Sequence, residues 1–468
     1  MASYSAQCAA STAELSSAEL FENAKNYLVD GYSRPIVLEP HPNYLAYGKG
    51  CWAFDVDGNG RIDFTNNFGA LIHGYSHPEI VKAITEQAGR AVCSTMPTSL
   101  ETELAALICE RLPTGDKIRF TNSGTEAVML ALKMARSIAG KPKIAKIEGG
   151  YHGQYEYIDS SSTPSPSQWG DPTEPPTIAR NSGTPGYMLP QLVVLPCNDI
   201  ESSRKILAKH KEALAAVIVD PMQLQVGYGR PEVEYLKALR DEATRLGILL
   251  IFDEVVAFRN GLNGTQGRVG VTPDITVLGK FIGGGLPVGA VCGSDEVMSV
   301  FKISREGPRV LHSGTFSANP LTMAAGAATM RLLTSEVFDR FQSLQDRLSD
   351  GMDSVLQTYG VDARLEQYCI GSTKLVFGSA QIRNWRDLYQ YYQNHQLSKV
   401  APLQEALLKR KVLVSRLSFL ISSPMTEADI EVVLEAFDDA VKELAPQLRG
   451  ECADLNGSVN QQATNSLT

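Results

Sequence analysis

Residues 274–287 read DITVLGKFIGGGLP, and this stretch carries most of the information about the fold. An apolar run predicts a buried strand, Lys280 ends it, and three glycines follow at positions 283–285. Most lysines lie on solvated surfaces, and the pattern taken alone is more typical of a strand-end surface lysine. Small neighbours, however, allow a bulky group to approach the backbone closely. We therefore predict that Lys280 lies at a ligand site.

An acidic residue follows another predicted buried strand. Residues 248–252 read ILLIF, and Asp253 comes directly after them. Ligands of open α/β sheets bind at the carboxyl edge of the strands. Pyridoxal phosphate needs an amine that forms a Schiff base with its aldehyde and a carboxylate that keeps its ring nitrogen protonated. Lys280 and Asp253 together predict a site for this cofactor.

Hydroxyl groups and a glycine open a predicted helix. The motif NSGTEA at residues 122–127 follows a strand-like run and precedes a strongly helical segment. Ser123, Gly124 and Thr125 at such a helix start are typical of an anion site. Simple capping of the helix is the alternative, and it requires only one of the two hydroxyls.

Glycines flank an aromatic residue in EGGYHG, residues 148–153. This arrangement exposes the ring of Tyr151, which is suited to stacking on a flat cofactor. Alone, this motif is weak evidence. Together with the motif at 122–127, which precedes it along the chain, and with Asp253 and Lys280, which follow it in this order, it is strong evidence.

These motifs resemble those of the class III (subgroup II) aminotransferases among the fold-type I pyridoxal-phosphate enzymes. The chain is similar in particular to glutamate-1-semialdehyde aminomutases and β-amino-acid (β-phenylalanine) aminotransferases. The resemblance extends from about residue 27 to about residue 444. It rests on five motifs: NSGTEA (122–127), YHG (151–153), DEV (253–255), LGKFIGGG (278–285) and HSGTF (312–316).

The resemblance implies a role for each matching residue. Lys280 is similar to the lysine that binds the cofactor aldehyde, and Asp253 to the partner of the pyridine nitrogen. Val255 and Tyr151 resemble the residues on the two faces of the cofactor ring. Thr315 resembles a threonine that reaches the phosphate of the neighbouring subunit, which implies a homodimer with shared active sites. The full implied cofactor set is Ser123, Gly124, Thr125, Tyr151, His152, Gln223, Asp253, Val255, Lys280 and Thr315, with Lys280, Asp253 and Tyr151 as the catalytic residues.

Three arginines are candidates for binding a substrate carboxylate. Arg34 and Arg416 resemble the carboxylate-binding arginines of β-amino-acid aminotransferases, and a guanidinium suits a carboxylate. Arg259 is a third candidate, for which pairing with a nearby carboxylate of the protein is the favoured alternative. A surface location is an equally good interpretation for Arg34 or Arg416 taken alone.

The resemblance implies an aminotransferase that moves an amino group by a ping-pong mechanism. The donor is an amine or a β-amino acid that bears a carboxylate, and the acceptor is a 2-oxo acid. A pyridoxal-phosphate-dependent aminomutase or racemase is the alternative, since it uses the same lysine. A binding protein that has lost the chemistry is disfavoured by the intact Lys280 and Asp253.

Alternating strand and helix patterns between about residues 77 and 321 predict an α/β fold with a mainly parallel sheet. The resemblance implies fold type I, with a seven-stranded sheet in a large domain and a small α+β domain from both termini. We expect an N-terminal segment at 1–70 that joins the small domain, a large domain at 71–328, the C-terminal small domain at 329–446 and a disordered tail at 447–468. An opening helix is expected at about 16–28, and a hairpin at 51–64 with its turn at 57–60.

Composition excludes several classes of function. The net charge of −9 argues against a nucleic-acid or anionic-membrane surface, and no apolar run reaches the length of a membrane span. The start of the sequence has no basic and apolar signal region. Eight cysteines without a CxxC pair and seven histidines without ligand spacing predict neither metal nor disulfides. We expect a cytoplasmic protein.

Two features depart from the expected pattern. The segment at 159–187 is rich in Ser, Pro, Thr and Gly, so we expect no regular structure and consider an active-site lid or a surface excursion. Asp220 stands where the family usually has glutamate, and residues 224–226 replace small residues, so the wall of the pocket is expected to be reshaped.

Overall fold

The computed structural model describes residues 15–34, 42–222, 230–304 and 309–451. The predicted cofactor residue Gln223 lies outside these residues. The described residues form fourteen strands: β1 Leu45–Lys49, β2 Trp52–Asp55, β3 Gly60–Asp63, β4 Lys117–Thr121, β5 Lys143–Ile147, β6 Leu192–Leu195, β7 Leu214–Val219, β8 Leu249–Asp253, β9 Ile275–Gly279, β10 Gly289–Gly293, β11 Ala363–Cys369, β12 Ser372–Phe377, β13 Val412–Leu413 and β14 Ser418–Leu420.

Helices of eight residues or more cover the sheets, and shorter turns connect them. The longer helices in the described residues are α1 Ser17–Ala24, α2 Pro78–Ala88, α3 Ser99–Cys109, α4 Gly124–Ala139, α5 Ile200–His210, α6 Val233–Leu246, α7 Pro320–Leu332, α8 Ser335–Thr358, α9 Trp385–His395, α10 Ala401–Lys409 and α11 Glu427–Arg449. The shorter helical turns are Val29–Gly31, Asn66–Gly69, Glu156–Asp159, Pro166–Gln168, Gly186–Gln191, Ala257–Asn260, Gly264–Val269, Lys280–Gly283, Asp295–Met298, Ser299–Phe301 and Gln396–Val400.

The central sheet has seven strands in the order β4-β10-β9-β8-β7-β5-β6. Strands β6, β5, β7, β8 and β9 run parallel to one another, and β10 is antiparallel to both its neighbours. Every residue of β7 is buried, as expected for a strand covered by helices on both faces. The predicted α/β fold with a mainly parallel seven-stranded sheet is confirmed.

Helix α4 starts and stops where its sequence predicts. The Ser123 hydroxyl accepts a hydrogen bond from the Glu126 N–H at 3.1 Å, and Gly140 ends the helix in the left-handed conformation at φ +64°. Its apolar face packs under β7, β8, β9 and β10. This packing fixes the N-terminus of the helix at the carboxyl edge of the sheet.

The N-terminal strands form a second sheet with a strand from the C-terminal part. The predicted hairpin is present as antiparallel β2 and β3, and β13 joins β3 in parallel. The predicted opening helix is α1, which begins one residue after Ser16 with a capping box to Glu19. This strand pairing supports our proposal that the segment 1–70 joins the small domain.

The C-terminal part packs the long helices α8 and α11 against each other, next to a sheet of β11, β12 and β14. We propose the domain divisions at about residues 70 and 328 on this architecture. Most of the predicted tail, at 452–468, lies outside the described residues. Among the described helices, none has the length and apolar character needed to cross a membrane.

The segment at 159–187 contains two short helical turns, Pro166–Gln168 and Gly186–Gln191, and is otherwise irregular as expected. Its first part is bound to the fully buried ammonium of Lys146, which donates to Ile158 O at 2.8 Å, Ser160 O at 2.9 Å and Ser162 Oγ at 3.0 Å. Its middle is bound by Arg386 of α9, which donates to the carbonyl of Trp169. The lid hypothesis stays a prediction.

Candidate active site

Lys280 follows β9 with a left-handed backbone at φ +53°. Few residues other than glycine adopt this conformation, and it often marks functional sites. The Lys280 Nζ donates a hydrogen bond to Phe68 O at 3.0 Å. Burial lowers the pKa of Lys280 to about 8, and the charges of Asp253 and Asp220 oppose this shift. A useful fraction of the amine is therefore neutral near physiological pH.

Asp253 is the last residue of β8, beside Val277 of β9. His152 Nδ1 donates to Asp253 Oδ2 at 2.8 Å, and the Val255 N–H donates to Oδ1 at 3.1 Å. Burial lowers the pKa of His152, so the imidazole is neutral and carries its proton on Nδ1. Two donors therefore fix the orientation of the carboxylate.

The start of α4 meets the YHG motif. Gly153 has φ +90°, and a Cβ there would lie 2.5 Å from Thr125 Oγ1 and 2.9 Å from its Cα. Only glycine permits this approach. A Cβ on Gly124 would likewise lie 3.1 Å from the methyl groups of Val255. These small residues explain why motifs far apart in sequence lie in contact.

A cavity of about 430 Å³ opens at this edge of the sheet. Eight of the ten predicted cofactor residues line it: Ser123, Gly124, Thr125, Tyr151, His152, Asp253, Val255 and Lys280. Asp220, which the sequence analysis connected with the wall of the pocket, also lines the cavity, and so does Asn67, which sequence reasoning did not assign to the site. The position of Asp220 directly after β7 was a usable signal, because β7 ends at the same edge as β8.

Asn67 belongs to an unusual turn of four consecutive left-handed residues. The φ angles are +48° at Asn66, +48° at Asn67, +56° at Phe68 and +83° at Gly69. Distant groups hold the turn: the Asn66 side-chain amide donates to Leu420 O at 2.7 Å, and Lys280 bonds to Phe68 O. Asparagine and glycine tolerate this conformation, but phenylalanine rarely adopts it. Local sequence gives no signal for the turn.

The substrate arginines lie apart from the cofactor residues. Arg34 is exposed and donates to the cavity-lining Asn67 Oδ1 at 2.9 Å. The Arg416 guanidinium lies 5.7 Å from the ring centroid of Tyr392, and neither arginine is among the described residues that line the cavity. Arg259 is fully buried and donates to Ile421 O at 2.8 Å, with no carboxylate partner among the described residues. The ion pair that we predicted between Arg259 and a carboxylate of the protein is therefore not found among the described residues.

Thr315 also lies outside the cavity. It is exposed in the single chain, in the turn before α7. Its neighbour Phe316 is 59% exposed, which is unusual for a large apolar side chain. The structure thus leaves this turn accessible.

Comparisons with known proteins agree with this geometry. The family described as Aminotransferase class-III matches residues 39–365. Glutamate-1-semialdehyde 2,1-aminomutase 2 of Brevibacillus brevis is 35% identical over 436 residues, which cover 91% of this chain and 98% of that protein. The chain therefore belongs to the class-III aminotransferases. The enzymes of this class depend on pyridoxal phosphate.

Two solved structures are similar over nearly their whole length. An omega-transaminase from Sphaerobacter thermophilus has a TM-score of 0.87 and 40% identity, covering 91% of this chain and 97% of that chain. A β-phenylalanine aminotransferase from Variovorax paradoxus has a TM-score of 0.77 and 32% identity, covering 92% and 94%. The expected family and fold type are confirmed.

The residues present fit pyridoxal phosphate. The first N–H groups of α4, at Gly124 and Thr125, have no intrahelical acceptor and suit a phosphate. Lys280 offers an amine, Asp253 an oriented carboxylate and Tyr151 an aromatic ring at the same cavity. The absent side chains of Gly124 and Gly153 let Val255 and Thr125 pack against the backbone there, which brings the lining residues together.

Proposed function

We propose that this class-III aminotransferase takes an amino group from a carboxylate-bearing amine or β-amino acid and transfers it to a 2-oxo acid in two half-reactions. The observation that carries the proposal is the meeting of Lys280 and Asp253 at one cavity beside the start of α4. The individual roles below are proposals on this geometry.

When bound, pyridoxal phosphate supplies an aldehyde for the amine and a ring that accepts electrons from the reacting carbon. Asp253, oriented by His152 and the Val255 N–H, would keep the ring nitrogen protonated. Tyr151 and Val255 would hold the ring. The N-terminus of α4, with Ser123, Gly124 and Thr125, would hold the phosphate.

Lys280 is the proton carrier. With the cofactor bound, Lys280 Nζ would be the group that accepts a proton from the substrate and gives one back. Its lowered pKa of about 8 keeps enough neutral amine available for this step. The hydrogen bond to Phe68 O restrains the same nitrogen near the Asn66–Gly69 turn.

Arg34 binds the substrate carboxylate at the mouth of the cavity. Its guanidinium is exposed and is oriented by Asn67, which itself lines the cavity. Arg416 is the second candidate; it shares the ring of Tyr392 with the buried side chain of Lys374. Burial and the charge of Arg416 hold the pKa of Lys374 well below its usual range.

A homodimer is the functional unit in this proposal, with Thr315 reaching the phosphate site of the partner. Large apolar side chains are exposed near this turn, and Asn319 links it to the loop after α2 by donating to Val92 O at 3.1 Å. The exposed apolar residues of these two regions are Val92, Met96, Leu311 and Phe316. A surface of this kind is typical of a protein interface.

We assign the enzyme to the cytoplasm because its described cysteines are all free thiols. A reducing compartment maintains thiols in that state. This proposed location does not depend on which reaction the enzyme catalyses.

An aminomutase is the second candidate function. Relatives at 35% and 36% identity are named glutamate-1-semialdehyde 2,1-aminomutase, and the proposed proton transfer by Lys280 serves either reaction. The two reactions differ in whether the amino group is passed to a second molecule, the 2-oxo acid, or is returned to the same substrate.

An absorption titration of the holoenzyme separates these functions. We expect the visible band of the lysine-bound cofactor to bleach with β-amino acids, to bleach less with matched amines that lack a carboxylate, and to return with a 2-oxo acid. A band that returns without any added acceptor would establish the aminomutase or racemase. No visible band after reconstitution with pyridoxal phosphate would overturn both.

A further inference from the structure

An arginine from the irregular segment at 159–187 lies over the ring of Tyr151. The guanidinium carbon of Arg180 is 5.5 Å from the ring centroid, within the range of a cation–π contact. Arg180 NH1 also donates to Asp159 Oδ1 at 2.9 Å. The planar guanidinium therefore has a ring beside it and a carboxylate at its edge.

Asp159 is itself firmly placed. It is buried, and its second oxygen, Oδ2, accepts a hydrogen bond from the Asn181 side-chain amide at 2.8 Å. The Ser162 hydroxyl donates to Asp159 O at 2.6 Å. The carboxylate thus provides a fixed anchor for the charged end of Arg180.

The anchor is tied to the strand that precedes Tyr151. Lys146 of β5 binds the chain on both sides of Asp159, through Ile158 O and Ser160 O. The Gly149 N–H donates to Ser161 O at 2.9 Å, only two residues before Tyr151. The chain runs from β5 through Tyr151 into the segment at 159–187. The start of this segment is hydrogen-bonded back to β5 and Gly149, and Arg180, near its end, lies over the Tyr151 ring.

We propose that Arg180 is a positioning residue that holds the Tyr151 ring against the cofactor, and that supporting this ring is the task of the segment at 159–187. The inference rests on the proposed contact between Tyr151 and the cofactor. Arg180 restricts rotation of the ring, and among the described residues it is Tyr151, not Arg180, that lines the cavity. The segment is in this view a fixed support for the ring.

The test measures binding of pyridoxamine 5′-phosphate to the apoenzyme by calorimetry, because this form is held without a bond to Lys280. Arg180→Met retains the length of the side chain and removes the cation and its planar group. We expect the affinity to fall on the order of tenfold, as for a desolvated cation–π contact. The visible absorption band of the pyridoxal-phosphate form is expected to shift as well.

A double-mutant cycle assigns the effect to the ring. Tyr151→Leu removes the aromatic ring, and in that background Arg180→Met should cost no further affinity. Tyr151→Phe retains the ring, so the full effect of Arg180→Met should remain. A loss of the same size in the Tyr151→Leu background would overturn the inference.

Two further variants test whether a loss of affinity comes from misfolding of the segment and not from the loss of the Arg180 contact. Arg180→Lys retains a cation for Asp159 but loses the planar group, and we expect a loss of several-fold in the same affinity. Lys209→Met removes an exposed ion pair to Glu174 of the same segment without touching Tyr151, and it should leave the affinity unchanged. Equal losses for Arg180→Met and Lys209→Met would refute a specific role of Arg180.

These variants show separately whether the inference about Arg180 is wrong or the proposed contact of Tyr151 with the cofactor is wrong. If Tyr151→Leu leaves the affinity unchanged, the proposed contact of Tyr151 is wrong. If Tyr151→Leu weakens binding and Arg180→Met does not, the inference alone is wrong. A rise in the KM for a carboxylate donor with unchanged cofactor affinity would make Arg180 a substrate residue and also overturn the inference.

Discussion

Lys146 and Lys280 are two lysines whose pKa values are both lowered by burial, although their surroundings differ. Burial lowers the pKa of Lys146 to about 7 and that of Lys280 to about 8. Lys146 lies inside a regular strand, and three oxygen atoms of a neighbouring segment accept its hydrogen bonds. Lys280 has a left-handed backbone, a hydrogen bond to one carbonyl and a cavity beside it.

The difference shows that a lowered pKa does not identify a reactive amine. Lys146 has the larger shift, yet its nitrogen is enclosed by the groups that it binds. Lys280 combines a smaller shift with access to the cavity and with strain in its backbone, both of which are typical of functional sites. Access and geometry therefore decide which lysine reacts.

Replacement of the two lysines should give opposite results. Lys280→Ala removes both the covalent attachment of the cofactor and the proposed proton carrier. We expect turnover to fall about 10⁴-fold or more, with the fold retained by circular dichroism. Lys146→Ala should keep the visible band of the lysine-bound cofactor. Normal turnover of Lys280→Ala would be fatal to the proposed mechanism.

The paired acidic residues Asp253 and Glu254 extend the comparison. Asp253 lines the cavity, whereas Glu254 is fully buried and accepts from the Thr265 and Gln266 N–H groups at 2.8 and 3.0 Å. Asp253→Asn should bind the cofactor and lower kcat on the order of 10³-fold, since the ring nitrogen loses its anionic partner. Kinetics at matched cofactor content measure this loss.

Glu254→Gln is the matched control for that measurement. Its side chain contacts backbone amides away from the cavity, so we expect lower thermal stability and rate constants within a few-fold of the original enzyme. Equal kinetic losses in the two variants would show that general disruption of this edge, and not the ring nitrogen, explains the effect of Asp253→Asn.

The sequence predicted the parts of this site that depend on strand ends and helix starts. Lys280, Asp253 and the residues at 123–125 follow or open regular elements, and parallel strands bring their carboxyl ends to one edge. The strand predicted at 248–252 is observed one residue later, as Leu249–Asp253. Continuous apolar runs were sufficient to predict β8 and β9 because nearly every residue of these two strands is buried.

Long-range contacts between irregular segments were beyond sequence reasoning. The turn at Asn66–Gly69 depends on Leu420 and Lys280, and the position of Arg180 depends on Asp159 within an irregular segment. No periodic pattern marks either contact. The predicted ion pair of Arg259 with a carboxylate was not found among the described residues for the same reason, since the observed acceptor of Arg259 is a distant backbone carbonyl.

The pH dependence of cofactor capture tests the state of Lys280 directly. Only the neutral amine attacks an aldehyde, so the rate at which apoenzyme captures pyridoxal phosphate should fall about tenfold per pH unit below the pKa. Since the pKa is lowered from 10.5 to about 8, we expect a midpoint near 8 and a plateau above it. Stopped-flow absorbance measures this rate. Lys146→Met should leave the midpoint unchanged, and a midpoint near 10.5 would contradict burial of the Lys280 amine.

The smallest expected effect concerns the structural lysine. In Lys146→Met the new side chain fits the same space but cannot donate a hydrogen bond. Ile158 O, Ser160 O and Ser162 Oγ therefore lose this donor, which costs about 1–3 kcal/mol for each buried group left unsatisfied. We expect a melting temperature lowered by a few degrees and faster proteolysis within 159–187. Lys141→Met is the control, because the side chain of this half-buried lysine donates to Lys211 O, which lies outside the segment. If both variants melt and are cleaved alike, Lys146 does not anchor the segment, and the contrast with Lys280 rests on the cavity alone.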